Sequence, residues 1–360
     1  MNMQIKENVP LAPYTTFKIG GPARYFCVVE NQFDALEAYE FAQNHKLKTF
    51  VLGGGSNILV SDEGFDGLVI KVVNKGIEII TPPASPKIGG EKAVLLKVAS
   101  GEVWDEVVKF AVKNNWWGIE NLSHIPGSTG AIAVQNVGAY GQEARNVIES
   151  VTVFNVATHN IQSLQNNDCG FAYRQSIFNS NAKGKYIIFD ITFKLSKSAR
   201  SNLEYRDLKT RFEGKNPSLD EIRQAVTEIR DTKFPFPVEA KKGNAGSFFK
   251  NPVLGDDDYH KLKDQVALEF GQESAINLEK KKFSDNGQTK IPAAFLIELC
   301  GLKNLQSGGA AINQNQPLVI VNQTGTASAK DILSLANQVR QTVLTKTEIE
   351  LKFEPELIGF

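Results

Sequence analysis

An excess of charge of either sign is missing from this sequence. Its 360 residues carry 40 Lys+Arg against 40 Asp+Glu, a formal net charge of zero. That balance argues against a broad nucleic-acid or polybasic membrane surface, leaving only local basic pockets. Histidine is scarce: His45, His124, His159 and His260 are scattered, with no HExxH or similar pair. No metal site is therefore expected. The three cysteines, Cys27, Cys169 and Cys300, are far apart, odd in number and form no CxxC. They exclude a disulfide framework or zinc knuckle and read as buried thiols of a reducing cytosol. No run of about 18 apolar residues is present to span a bilayer. Residues 1–17 are polar and proline-broken. No signal peptide or membrane insertion is expected, and the expected location is the cytoplasm.

What is present is ordinary globular chemistry: 42% apolar and 22% charged residues. The length suggests two or three domains at ~100–200 residues each, enough for a sizeable core. Apolar spacing predicts helices at 35–44, 102–113, 219–230 (with Ser218 as N-cap), 292–300 (stopped by Gly301) and 329–344. Short apolar runs predict strands at 48–52, 58–60, 69–73, 93–98, 151–156, 186–195, 317–321 and 349–353. Pro82, Pro83, Pro86 and Gly89-Gly90 mark a loop or boundary, and Lys233-Phe-Pro-Phe-Pro237 reads as a rigid linker between domains. Mixed signals throughout predict an α+β protein of several small domains.

Two glycine-rich stretches stand out. Gly53-Gly54-Gly55-Ser56-Asn57 follows one apolar strand and precedes another. It is neither a Walker A loop, lacking GK[ST], nor a dinucleotide GxGxxG, since position 58 is Ile and no helix follows. It is either a tight turn or a phosphate cradle of backbone amides. The second stretch, His124–Gly141, contains Pro126, Gly127, Ser128, Gly130, Gly138, Ala139 and Tyr140 and reads as one long loop. Loops that long are usually functional or disordered, and its apolar residues disfavour disorder. Two such loops suit a large diphosphate cofactor.

Three further stretches carry candidate chemistry. Arg174, in Phe171-Ala172-Tyr173-Arg174, sits among aromatics, where a guanidinium needs an anionic ligand or a structural carboxylate. Ser247, within Gly243-Asn244-Ala245-Gly246-Ser247-Phe248-Phe249-Lys250-Asn251-Pro252, is either exposed to a ligand or caps a short helix; there is no GxSxG elbow. Phe353-Glu354-Pro355-Glu356-Leu357 pairs two carboxylates around a proline, suited to acid–base work or simply solvated.

These pieces together resemble the UDP-N-acetylenolpyruvoylglucosamine reductase (MurB) family. The resemblance runs from Tyr14-Thr-Thr-Phe-Lys-Ile-Gly-Gly21 to the C-terminal Glu-Pro-Glu. It passes through Leu52–Val60, Gly118-Ile-Glu-Asn-Leu122, Ile125-Pro-Gly127, Gln135–Gly141, Tyr173-Arg174, Gly243–Pro252 and Gly308-Gly-Ala-Ala311. It implies a three-domain α+β flavoprotein. Residues 1–80 and 81–235 would form a two-subdomain FAD-binding module of the vanillyl-alcohol-oxidase/PCMH type, the second subdomain carrying a substrate-loop insertion. Residues 236–360 would form an α+β substrate domain. NADPH would reduce FAD, which would reduce the enolpyruvyl ether of UDP-N-acetylglucosamine enolpyruvate to the lactyl ether of UDP-N-acetylmuramate. The implied protein is a monomer acting on this small molecule, with no nucleic acid involved.

Residue roles follow from the same resemblance. Gly53, Gly54, Gly55, Ser56 and Asn57, with Pro126, Gly127, Ser128, Gly130, Gly138, Ala139 and Tyr140, would hold FAD. Arg174 and a C-terminal glutamate would stabilise the enol-like intermediate, a charge that needs preorganised donors. Ser247 would give the proton to the α-carbon. Tyr205, Lys233, Asn251 and Gln306 would contact substrate. The apolar-Glu-Pro-Glu-apolar pattern selects Glu356, whereas alignment on Leu351 and Ile358-Gly359 selects Glu354; Glu356 is preferred. Phe236 stands where the linker normally carries an acid. A different flavin oxidase of this cofactor fold would need no serine proton donor, and a binding module without activity would not need to retain Arg174, Ser247 and the terminal glutamate.

Overall fold

The computed structural model describes residues 3–80, 87–88, 91–233, 242–285 and 287–360. The proline- and glycine-marked segment at 82–86 and 89–90, and linker residues 234–237 including Phe236, lie outside them. The chain forms two compact units. One comprises Met1–Val9, Pro22–Gly55 and Phe65–Phe236; the other comprises Pro10–Gly21, Ser56–Gly64 and Pro237–Phe360. Two short N-terminal stretches thus belong with the C-terminal unit, an interleaving that a division at linear boundaries does not contain.

The first unit holds two large sheets and a two-stranded one, Gly138–Ala139 with Gln142–Glu143. In the smaller of the two large sheets, strands run in the order Lys6–Pro10, Pro22–Val29, Phe65–Val72, Lys48–Leu52, with Phe65–Val72 parallel to both neighbours. Parallel strands need a crossover, here through helix Gln32–Asn44, which buries Ala35, Ala38, Tyr39 and Ala42. The helix starts three residues before the expected 35 because Asn31 and Asp34 form a capping box. The larger sheet is antiparallel, in the order Asn160–Gln165, Ile148–Asn155, Tyr186–Ser196, Glu91–Ala99, Ile77–Ile80. Helix Trp104–Lys113 covers it with Trp104, Val107, Val108 and Ala111, all fully buried.

The expected long loop at His124–Gly141 is corrected: it contains a helix, Thr129–Val134. Its glycine misleads. A Cβ on Gly130 would lie 2.6 Å from the Cβ of Ser100, so this glycine serves close packing rather than a turn. The residues that follow Tyr205 form helix Arg206–Arg211.

Helix Leu219–Lys233 is tethered to helix Trp104–Lys113 by a buried ion pair. Arg223 Nη1 and Nη2 donate to Asp105 Oδ1 (2.9 Å) and Oδ2 (2.7 Å), and the His124 amide adds a bond of 2.6 Å. The Asp105 and Arg223 side chains are 9% and 13% exposed. Burial pushes the Asp105 carboxyl upward, but the bonds from Arg223 and the His124 amide, with Lys109 nearby, hold it below its ordinary value. A depressed carboxylate adds stability that is full above the unfolded-state value and is lost as pH falls through the folded-state value. Asp105→Ala would strand the guanidinium. It is expected to destabilise this unit by about 3–5 kcal/mol, read as a lower urea midpoint at neutral pH, with the gap to wild type closing in acid.

The second unit has an antiparallel sheet in the order Asn244–Ser247, Val319–Asn322, Ala310–Ile312, Gln306–Ser307. Helix Ala329–Thr347 buries Ile332, Leu335, Ala336, Val339 and Val343, the expected face, and begins at a Ser328–Asp331 capping box. Helix Ala293–Leu299 ends before Gly301, whose φ of +74° suits glycine. Helices Asp256–Phe270 and Gln272–Lys281 stand where apolar spacing predicts none. The expected strand at 349–353 is also corrected. Only Phe353 bridges, to Phe249, and the true strand is Glu356–Ile358, parallel to Ile58–Val60. Among the described residues, no helix is long and apolar enough to cross a membrane.

Candidate active site

In the first unit the two glycine-rich stretches meet. A Cβ on Gly54 would lie 2.4 Å from Gly127 Cα and 2.7 Å from the Ser128 nitrogen; one on Gly53 would lie 2.8 Å from Ser128 Oγ. These glycines permit backbone-to-backbone approach between segments 73 positions apart in the sequence (127 minus 54). The second stretch is anchored from behind: Trp104 N–H donates to Gly127 O (3.1 Å), Thr129 N–H to Glu102 O (2.8 Å) and Gly130 N–H to Ser100 O (2.9 Å). Lys71 Nζ donates to the carbonyl of Gly53. Its pKa is pushed down to about 8 by burial, with Lys75 adding repulsion. Side-chain-free backbone at Gly53, Gly54 and Gly127, backed by a half-buried amine, fits a diphosphate cofactor such as FAD. Pro126 precedes this junction and is half-buried.

Arg174 lies beside the far end of the second stretch. Its Nη2 donates to Gly138 O (2.9 Å), and a Cβ on Gly138 would lie 3.2 Å from Arg174 Nη1. The residue adopts φ +52°, a left-handed conformation that stores strain in an arginine and recurs at functional sites. Buried Asn136, within the Gln135–Gly141 motif but assigned no role from the sequence, fixes this turn. It donates to Ala172 O (2.9 Å) and Glu143 (3.0 Å) and accepts from Arg145 N–H (2.9 Å). Its place in the Gln135–Gly141 motif is the sequence signal that points to it.

Tyr140, Tyr205 and Lys233 form one cluster, also in the first unit. The two tyrosine rings pack edge-on with centroids 5.2 Å apart. Lys233 Nζ lies 5.3 Å from the Tyr140 centroid and pairs with Asp207 at 2.8 Å. Burial raises both tyrosine pKa values, opposed by Arg230 at Tyr140 and by Lys233 at Tyr205. Both hydroxyls therefore stay protonated donors. Asn121 holds the backbone here, donating to Tyr140 O and Asn202 O at 2.8 Å each. Ala139 occupies a two-residue strand with Gly138.

The second unit carries Ser247 at the end of strand Asn244–Ser247, paired with Val319. It caps no helix, which removes one of its two expected roles. Gly246 at φ +70° kinks the backbone just before it, and its amide donates to Asn244 Oδ1 (2.9 Å). The N-terminal Tyr14–Gly21 motif supports this segment. Thr16 Oγ1 donates to Asn244 O (2.6 Å), Asn244 N–H to Thr16 O (3.2 Å), and a Cβ on Gly243 would lie 2.2 Å from Phe17 O. Phe248 and Phe249 are fully buried anchors just beyond.

The C-terminal carboxylates flank a change of partner strand. Glu354 N–H donates to Phe248 O (2.9 Å), whereas Glu356 N–H donates to Asn57 O (3.0 Å). Ser56 and Asn57 belong to this unit. Asn251 Oδ1 accepts the Ala293 amide (2.9 Å), at the start of helix Ala293–Leu299. Gln306 is exposed on the opposite edge strand from Ser247, three strand spacings away, or roughly 14 Å. The structure thus puts Ser247 near the Glu-Pro-Glu segment along one backbone ladder and sets Gln306 apart from it.

Comparison with known proteins follows the same division. Residues 237–358 match the UDP-N-acetylenolpyruvoylglucosamine reductase C-terminal domain, and residues 23–164 match an FAD binding domain. A UDP-N-acetylenolpyruvoylglucosamine reductase of Neisseria gonorrhoeae is 36% identical over 360 residues, covering 98% of this chain and 96% of the relative. One from Flavobacterium johnsoniae is 35% identical over 362 residues, covering 99% and 100%. The crystal structure of the Thermus caldophilus enzyme superposes with a TM-score of 0.65 at 24% identity, covering 99% of this chain and 100% of that one, and supports the fold. The similarity to these relatives extends over nearly the whole chain, and the chain belongs to the UDP-N-acetylenolpyruvoylglucosamine reductase (MurB) family of FAD-dependent oxidoreductases.

Proposed function

We infer that this chain uses NADPH, through FAD, to reduce the enolpyruvyl ether of UDP-N-acetylglucosamine enolpyruvate to the lactyl ether of UDP-N-acetylmuramate, a step of peptidoglycan precursor synthesis. The observation that carries it is the closure of the Gly53–Gly54 backbone on Gly127–Ser128, where glycine lets backbone approach backbone. FAD, held by Gly53, Gly54 and Gly127, would supply the hydride chemistry between NADPH and the terminal alkene carbon. The remaining work falls to side chains. The Ser247 hydroxyl gives a proton to the α-carbon. Arg174, strained into a left-handed turn, faces the charge that develops on the carboxylate. Glu356, or Glu354 in the alternative register, completes that stabilisation. Lys233 and Tyr205 bind substrate, the ammonium exchanging Asp207 for an anionic group. Asn251 and Gln306 are assigned to substrate by motif alone.

We further propose a division into 1–80, 81–235 and 236–360. The separate sheets support it, although Ile77–Ile80 pairs into the second sheet. A monomer acting in the cytoplasm suits the three buried free thiols. The test adds UDP-N-acetylglucosamine enolpyruvate and NADPH to purified protein and follows nicotinamide oxidation. A yellow protein that consumes NADPH only with the enolpyruvyl substrate is expected. A colourless protein that refuses added FAD, or NADPH consumption indifferent to substrate, would overturn the reading.

A further inference from the structure

We propose that Asn57 is a positioning residue for the C-terminal carboxylates, acting on the substrate step and not only on flavin retention; this rests on the function inferred above. The chain from Lys352 to Ile358 changes partners midway. Upstream it follows the Ser247 segment: Lys250 N–H donates to Lys352 O (2.9 Å) and Glu354 N–H to Phe248 O (2.9 Å). Downstream it runs parallel to Ile58–Val60, with Glu356 opposite Ile58. The changeover falls at Pro355, which has no N–H to donate to either ladder. Left alone, the Glu354 carbonyl and the Glu356 amide would be free to reorient around this gap.

Asn57 spans the gap from both sides. Its side-chain Nδ2 donates to Glu354 O at 3.2 Å, and its backbone carbonyl accepts Glu356 N–H at 3.0 Å. One residue thereby sets the backbone on which both candidate carboxylates ride. Asparagine suits this position because its amide nitrogen is a donor that aspartate of the same size lacks. The residue also ends the Gly53–Asn57 stretch, so flavin-loop sequence and carboxylate placement share a side chain. Misplacing a reacting group by about 1 Å can slow a reaction by about 10²-fold, so holding this tripeptide has a kinetic consequence.

The test separates the two half-reactions by stopped flow. Asn57→Ala and Asn57→Asp are compared with wild type for FAD affinity, flavin reduction by NADPH, and reoxidation of reduced flavin by UDP-N-acetylglucosamine enolpyruvate. Asn57→Asp is the second variant because it keeps the size and the backbone bond to Glu356. Both are expected to slow reoxidation of FAD-saturated protein by about 10²-fold, a larger loss than either shows in flavin affinity or in reduction by NADPH. Combined with whichever of Glu354→Gln or Glu356→Gln impairs turnover, Asn57→Ala should add little further loss, because the two act as one unit. Equal slowing of both half-reactions in FAD-saturated protein, or full additivity with the glutamate variant, would overturn the proposal. Wild-type protein that binds flavin but ignores the enolpyruvyl substrate would instead bring down the functional reading on which it rests.

Discussion

Gly54→Ala is expected to strip the protein of its flavin. The new methyl group would be built 2.4 Å from Gly127 Cα, 2.7 Å from Gly127 C and 2.7 Å from the Ser128 nitrogen. All three are backbone atoms, so no flexible side chain can swing away. The Gly127 segment cannot retreat easily either, since Trp104 and Thr129 amides tie it to neighbouring backbone at 3.1 and 2.8 Å. Overpacking of this kind costs about 1–3 kcal/mol. Expressed wholly in the liganded geometry, that is roughly a 5- to 150-fold weaker cofactor affinity. Misaligned amides would weaken it further, because each must point at the same anion. Gly255→Ala is the control, since Gly255 has an ordinary φ of −70° and nothing lies within 4 Å of its added Cβ. The measurement is the flavin absorbance of purified protein, followed by FAD titration of the apoprotein. Wild-type affinity in Gly54→Ala would mean that the two loops do not form the cofactor site.

The closeness of those loops illustrates what the sequence can and cannot disclose. Strands Lys48–Leu52 and Ile58–Val60 are legible to the residue, because each is an apolar run bounded by glycine or a polar turn. The buried faces of helices Gln32–Asn44 and Ala329–Thr347 are equally plain, since 3.6-residue periodicity reports burial directly. Local signals fail where a residue answers to a distant partner. Gly130 reads as loop because its packing against Ser100 is invisible in the sequence. The terminal strand is misplaced because β-rich residues at 349–353 precede Pro355, and the hydrogen-bonding partner changes at that proline. Helix Asp256–Phe270 hides Tyr259, Leu262 and Val266 among charges, three buried positions in fifteen residues. At the site, Ser247 is visible as an oddity among small residues. The support its strand receives from Thr16, 228 residues from Asn244 along the chain, is not.

Ser247→Ala is expected to slow reduction of the enolpyruvyl substrate by about 10²–10⁴-fold, the range for removing a positioned proton donor. Reduction of flavin by NADPH should be untouched, because that step transfers a hydride and asks nothing of a hydroxyl. The fold should also survive: Ser247 contributes to its strand through the backbone pairing with Val319, which alanine retains. Equal loss in both half-reactions would show that the residue supports the site rather than supplying a proton. Glu356→Gln and Glu354→Gln, measured beside it, decide the register. Each removes a charge and preserves shape, and neither disturbs the main-chain bonds at 354 and 356 to Phe248 and Asn57. Any difference between them therefore reports the carboxylate itself. Loss confined to Glu356→Gln is the expected result; loss confined to Glu354→Gln would select the register anchored on Leu351 and Ile358. Because successive odd or even positions in extended chain share a face, 354 and 356 would normally project alike. The switch of partner strand at Pro355 breaks that equivalence, so two chemically identical side chains two residues apart are expected to differ by orders of magnitude in their effect on turnover.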